Sequence, residues 1–228
     1  MARSVPPAVP DTLFELSNIH KRWSGAPTSL LQGVSLGLEP GSALWLEGRN
    51  GVGKTTLLRI AAGLIRPDAG EIRLCGLDPE TDRLEFQRRL GYVSTGYGGL
   101  YARLKVRFHL EFWADVACVD PERRAELIER VIERLDLAPL IDARVDRLSM
   151  GQRQRVRLAL GFMHEPAVII LDEPRNSLDD VGTALLAAAS EEVRERGGGV
   201  IWCAPIGEPV GLDGALHVRI EDGRLLEI

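Results

Sequence analysis

The sequence predicts an α/β fold: a parallel-sheet core, an antiparallel β subdomain before it and an inserted α-helical subdomain. Three observations carry this. Buried, β-rich runs such as "ALWL" (43–46), "AVIILDEP" (167–174) and "GVIWCA" (199–204) alternate with helical stretches, as in sheets covered on both faces. Short apolar alternations fill residues 13–39, "LFELSNI" and then "LLQGVSLGLE". From about 104 to 140, apolar residues recur at helical spacing with no strand pattern between them.

In chain order, residues 1–10 ("MARSVPPAVP") have three prolines and no apolar segment, and read as a disordered leader rather than a secretory signal. The strands of 13–39 close on the turn "EPG". "ALWL" is a buried strand and "TTLLRIAAGL" a helix, with glycines between them. "RPDAG" is a turn, "EIRLCG" a strand, "PETDRLEFQRRL" a short helix and "GYV" (91–93) a short strand. The helical subdomain occupies about 96–150. Asp120 caps a helix with Pro121 in its first turn, and Glu126 and Arg130 form an i,i+4 pair. "VGTALLAAASEEVRERGG" is a helix stopped by glycines. "ALHVRIEDGRLLEI" is a hairpin turning at Asp222-Gly223.

The 228 residues suffice for one large domain or two small ones, with 45% apolar and 27% charged composition. A net charge of −5 argues against a dedicated nucleic-acid binder. Three scattered cysteines, Cys75, Cys118 and Cys203, form neither a disulfide framework nor a zinc spacing, and suggest a reducing, cytosolic setting. No apolar run approaches the roughly 18 residues of a membrane span.

Chemistry concentrates in "LEGRNGVGKTTLLRIAAGL" (46–64). Gly48, Gly53, Lys54 and Thr55 fit the phosphate-loop pattern of P-loop NTPases. The glycines let backbone N–H groups converge on an anion, Lys54 adds a point charge, and the Thr55 hydroxyl suits Mg²⁺. The following helix points its N-terminus at the phosphates. In "VIILDEP", Asp172 stands at the carboxyl end of a buried strand, where ligands bind in open α/β sheets. Asp172 can hold Mg²⁺ through water, and Glu173 can orient or deprotonate an attacking water. A third piece, "RLSMGQRQRVRLAL", sets a serine and glycine before a basic amphipathic helix.

Taken together these pieces resemble the ATP-binding-cassette (ABC) ATPases over about residues 11–228. "LSMGQ" looks like that family's signature, at the family's distance from "VIILDEP". "SLD" (177–179) resembles its dimer-contact loop, and Trp23 in "HKRWSG" stands where the family stacks adenine. The resemblance implies nucleotide contacts from Trp23, Gly48, Asn50, Gly51, Gly53, Lys54, Thr55 and Thr56, metal contacts from Thr55 and Asp172, and catalysis by Glu173. It also implies head-to-tail pairing, in which Ser149, Gly151 and Gln152 serve a nucleotide held by a partner and Asp179 lies in the dimer loop. ATP and Mg²⁺ are the expected ligands. A membrane permease and a second ABC ATPase, identical or not, are the expected partners, with the chain held at the cytoplasmic face through them.

Two family groups are replaced. Thr95 stands in place of a glutamine after "LGYVS", and Pro205 in place of a histidine after "VIWCA". Proline offers neither a side-chain donor nor an N–H. None of the four histidines, His20, His109, His164 and His217, substitutes for it; each reads as structural or exposed. Arg175 and Asn176 are unusual neighbours of the dimer loop. The stretch 94–114 resembles exporters of the ABC-2 type, making Tyr97, Leu100, Tyr101 and Arg103 candidate coupling contacts. An ATPase subunit of an exporter is therefore expected. A regulatory, weakly hydrolysing ABC subunit is the alternative. A soluble ABC protein of DNA repair or translation is disfavoured, because neither a long coiled-coil insertion nor a second cassette is present.

Overall fold

A computed structural model describes residues 12–94 and 99–228. The leader, Thr95 and Tyr97 lie outside the described residues.

The described residues form two sheets. β1 (Phe14–Lys21), β2 (Leu31–Leu38) and β4 (Ala69–Leu74) form an antiparallel sheet in the order β2-β1-β4. The second sheet runs β5-β6-β7-β3-β8-β9, from β3 (Ala43–Glu47), β5 (Leu90–Val93), β6 (Val168–Asp172), β7 (Gly199–Cys203), β8 (Leu216–Glu221) and β9 (Arg224–Glu227). Its first five strands are parallel, and β9 returns antiparallel. The hairpin turns at Asp222 and Gly223, with φ of 47° and 75°, the left-handed pair that a tight two-residue turn requires.

Side chains alternate across the central strands, so each strand supplies two cores. Val168, Ile170, Ile201, Cys203, Leu44 and Leu46 face α1 (Lys54–Ala61) and the antiparallel sheet. Ile169, Leu171, Val200 and Trp202 face the helices α3 (Val106–Val116), α4 (Pro121–Arg134), α5 (Met150–Phe162) and α6 (Asp180–Glu195). This explains why β6 and β7 are buried at every position. α2 (Arg83–Arg89) leads into β5.

Among the described residues, the helical stretch contains α3, α4 and two short 3₁₀ turns before α5. Asp120 accepts a hydrogen bond from the Glu122 N–H at 3.0 Å, capping α4 ahead of Pro121. Glu126 pairs with Arg130, which also reaches Glu165 between α5 and β6. Leu110 and Val131 of this stretch and Val156 of α5 share one core with the sheet residues Ile169 and Trp202. Among the described residues, no helix is long and apolar enough to cross a membrane.

Candidate functional site

Strand register brings the predicted pieces to one end of the sheet. Cys203 at the end of β7 is paired with Leu46 of β3 on one side and with Asp172 of β6 on the other. The loop following β3 therefore rises beside the acidic end of β6.

In that loop Gly53 immediately precedes α1 with φ of 115°, a conformation side chains resist. Gly48 is required by space: a Cβ there would lie 2.7 Å from the Ile220 side chain and 2.9 Å from its carbonyl. The loop curls around Lys54, whose side chain is only 6% exposed. Its Nζ donates to the carbonyls of Gly48 at 2.7 Å and Arg49 at 3.2 Å, and lies 4.0 Å from Glu173 Oε1. Thr55 and Thr56 follow in the first turn of α1, whose leading N–H groups have no intrahelical partner.

Asp172 is 1% exposed, and its Oδ2 has no hydrogen-bond partner among the described residues. Burial raises its carboxyl above the usual range, partly offset by a hydrogen bond from Thr55 and the charges of Arg59 and Lys54. A buried carboxylate oxygen without a partner, beside a threonine hydroxyl and a lysine, is the donor set of a hard divalent cation with phosphate. Thr55 and Asp172 thus fit Mg²⁺.

Glu173 has φ of 48°, a left-handed conformation uncommon outside glycine. Its N–H donates to the Cys203 carbonyl at 3.0 Å, and its Oε2 accepts from Asn176 Nδ2 at 3.2 Å. Glu173, Arg175, Asn176, Pro205 and Glu208 line one small hollow. Pro205 therefore stands beside Glu173 in that hollow. Arg175 donates to the Pro209 carbonyl at 2.9 Å and approaches Glu208 at 3.4 Å, fastening this loop to the end of β6.

The signature residues cap α5. Ser149 Oγ accepts from the Gln152 N–H at 3.1 Å, and Gln152 Oε1 accepts from the Ser149 N–H at 2.9 Å, a reciprocal capping box. Asp179 caps α6 through the Gly182 N–H at 2.7 Å. Gly151 packs on the loop before α6, where a Cβ would lie 2.7 Å from the Ser177 carbonyl oxygen. Trp23 sits in the β1–β2 loop, 47% exposed, with Lys21 Nζ 5.4 Å from its ring centroid. Asn50 and Gly51 lie on the exposed crest of the phosphate loop.

The described coupling candidates divide. Leu100 packs against the helical core, whereas Tyr101 and Arg103 are exposed. Tyr101 lies near Phe112, and the Phe112 ring is parallel to that of Phe108, which is also exposed. Nearby, a groove of about 450 Å³ is lined by Tyr92, Trp113, Val116, Leu160 and His164 among others.

All four histidines have local partners: His20 with Asn18, His109 with Tyr101 N–H and the Lys105 carbonyl, His164 with the Leu90 carbonyl, and His217 stacked on Trp45 at 3.6 Å. Sequence reasoning missed Glu47. This 1% exposed carboxylate directly before Gly48 accepts from Arg219 Nε at 2.7 Å and from the Gly207 N–H at 3.3 Å. Burial disfavours its charge, but Arg219, Gly207 and His217 together hold it below the usual carboxylate range. A charged residue inside an otherwise buried strand was the available signal.

This geometry sets a glycine-rich loop with a buried lysine beside the acidic end of a parallel strand. A family model described as "ABC transporter" matches residues 31–176. The chain belongs to the ABC transporter ATPase family. It is 31% identical over 192 residues to the "Probable multidrug ABC transporter ATP-binding protein YbhF" of Escherichia coli, covering 84% of this chain and 33% of that protein. It is 39% identical over 169 residues to the "Fe(3+) ions import ATP-binding protein FbpC 2" of Rhodococcus jostii, covering 73% of this chain and 47% of that one. The chain thus spans a third to a half of the length of these relatives. A solved "ATP binding subunit of ABC transporter" superposes with a TM-score of 0.85 over 95% of this chain and 90% of its own, at 23% identity. The relatives include import systems, so family membership alone leaves the direction of transport open.

Proposed function

We propose that this chain binds MgATP on the loop of Gly48, Asn50, Gly51, Gly53, Lys54, Thr55 and Thr56, hydrolyses it, and drives an export permease. The observation that supports this most is the unpartnered, buried Oδ2 of Asp172 beside Thr55. Thr55 and Asp172 would hold Mg²⁺, which when bound spreads the charge that develops on the phosphate oxygens. Lys54 exchanges its contacts with the Gly48 and Arg49 carbonyls for the outer phosphates. Glu173 takes a proton from water as its oxygen attacks the γ-phosphorus. The bond to the bridging oxygen breaks, and ADP and phosphate are formed. Trp23 stacks on adenine with its exposed ring.

A second ABC ATPase chain, identical or different, places its own nucleotide against Ser149, Gly151 and Gln152, with Asp179 at the contact. The permease takes the groove beside Trp113 and the exposed Tyr101, Arg103, Phe108 and Phe112, holding the chain at the cytoplasmic membrane face. Export is favoured by the resemblance of residues 94–114 to ABC-2 exporters and by the name of the YbhF relative. The proposed helical subdomain, about 96–150, carries the exposed residues of this face.

Titration calorimetry tests the first step. Lys54→Ala should abolish tight MgATP binding; unchanged affinity would refute the phosphate-loop reading. One observation favours a second reading, a subunit with little hydrolysis of its own: Pro205, without a donor, lies in the hollow beside Glu173.

A further inference from the structure

Glu173 projects from a left-handed turn, and its carboxylate has few holds. Oε1 is 4.0 Å from Lys54 Nζ, beyond hydrogen-bonding distance. Oε2 accepts from Asn176 Nδ2 at 3.2 Å, and no other side-chain hydrogen bond reaches this carboxylate among the described residues. The assignment of the amide follows from chemistry: an ionised carboxylate only accepts, so Asn176 must present its NH₂. The backbone sets the same geometry, because the Asn176 N–H donates to the Glu173 carbonyl at 3.3 Å. Arg175, between Pro174 and Asn176, is anchored to the Pro209 carbonyl and Glu208. The turn carrying Asn176 is thus tied to the loop of Pro205.

We infer that Asn176 is a positioning residue for ATP hydrolysis: it holds one oxygen of Glu173 and leaves the other directed toward Lys54 and the nucleotide. This rests on Glu173 acting as the proton acceptor. The amide supplies, from within the turn, a restraint that Pro205 cannot supply from the opposite wall. A carboxylate held by one donor keeps a single orientation; without that donor it samples several, and fewer of them meet the attacking water.

The test is a double-mutant cycle on the full chain, reading kcat and MgATP affinity. Asn176→Ala should lower kcat by roughly tenfold, the scale of one hydrogen bond to a charged group, with MgATP affinity unchanged. Asn176→Ser, which restores a donor, should recover part of the loss. Asn176→Asp, equal in shape but like in charge, should fall below Asn176→Ala. In the Glu173→Gln background, Asn176→Ala should lower the residual rate no further. Independently of turnover, the side-chain amide proton resonances of Asn176, identified by their loss in Asn176→Ala, should shift in Glu173→Gln.

If a folded Asn176→Ala keeps the parental kcat, or if the losses multiply in the double variant, Asn176 does not act through Glu173. Amide resonances insensitive to Glu173→Gln likewise overturn the contact. Full turnover by Glu173→Gln alone would overturn the role of Glu173 and this inference with it.

Discussion

Replacing Asp172 by asparagine should stabilise the nucleotide-free protein and destabilise it relative to the parent once MgATP is present. Asp172 is 1% exposed, and its Oδ2 lacks a partner. Burial raises its carboxyl, so the fold favours the neutral form and the ionised form strains it at neutral pH. An unsatisfied buried polar group costs about 1–3 kcal/mol, more when charged. Thr55, Arg59 and Lys54 offset part of this. A net relief of about 1–2 kcal/mol in Asp172→Asn corresponds to a rise in Tm of about 2–8 °C for a domain of this size. MgATP at a hundred times Kd adds about 2.7 kcal/mol to the parent. The variant, lacking the anionic metal ligand, should gain much less, so the two melting curves exchange order. The sign with pH follows from the raised carboxyl. The stability gap is absent below the unfolded value of 3.8 and opens as pH rises through the folded one. Scanning calorimetry with and without MgATP at several pH values reads all of this. A variant less stable than the parent without nucleotide, or equally stabilised by MgATP, would refute the reasoning.

Other outcomes follow from single contacts. Trp23→Ala should weaken ATP binding by roughly 1–3 kcal/mol, the scale of one base–aromatic stack, and equal affinities in calorimetry would exclude Trp23 as the adenine platform. Thr95→Gln with Pro205→His should raise turnover by about 10²-fold or more if lost transition-state donors are the defect; a folded, ATP-binding double variant without gain argues otherwise. His164 is held neutral by burial, which lowers its pKa, while its hydrogen bond to the Leu90 carbonyl opposes the shift. The unfolded chain therefore binds the extra proton first, and stability should fall as pH drops below about 6.5. His164→Gln should flatten that slope in urea titrations between pH 7 and 5.

Much of this was legible because it is written locally. The runs "VIILD" and "GVIWC" are apolar at nearly every position, which only strands covered on both faces require, and Asp222-Gly223 is a turn by its own chemistry. Asp120 and Pro121 announce the start of α4. What stayed hidden depends on chain segments distant in sequence. Glu47 gains its meaning from Arg219 and Gly207, and the hollow beside Glu173 exists only because β6 and β7 are neighbours. The Asn176 contact was hidden for a different reason: it needs Glu173 in the left-handed region, which composition does not predict.

The contact between Gly151 and the Ser177 carbonyl has a consequence for genetics. Under the proposed pairing, substitution at Gly151 is the obvious way to damage a neighbouring subunit's nucleotide while sparing one's own. Here even a methyl group at position 151 would press on backbone only four residues from Glu173. An allele at this position would then carry two lesions at once, one at the proposed shared face and one at home. Complementation between such alleles would understate how independent the two halves of the proposed pair are.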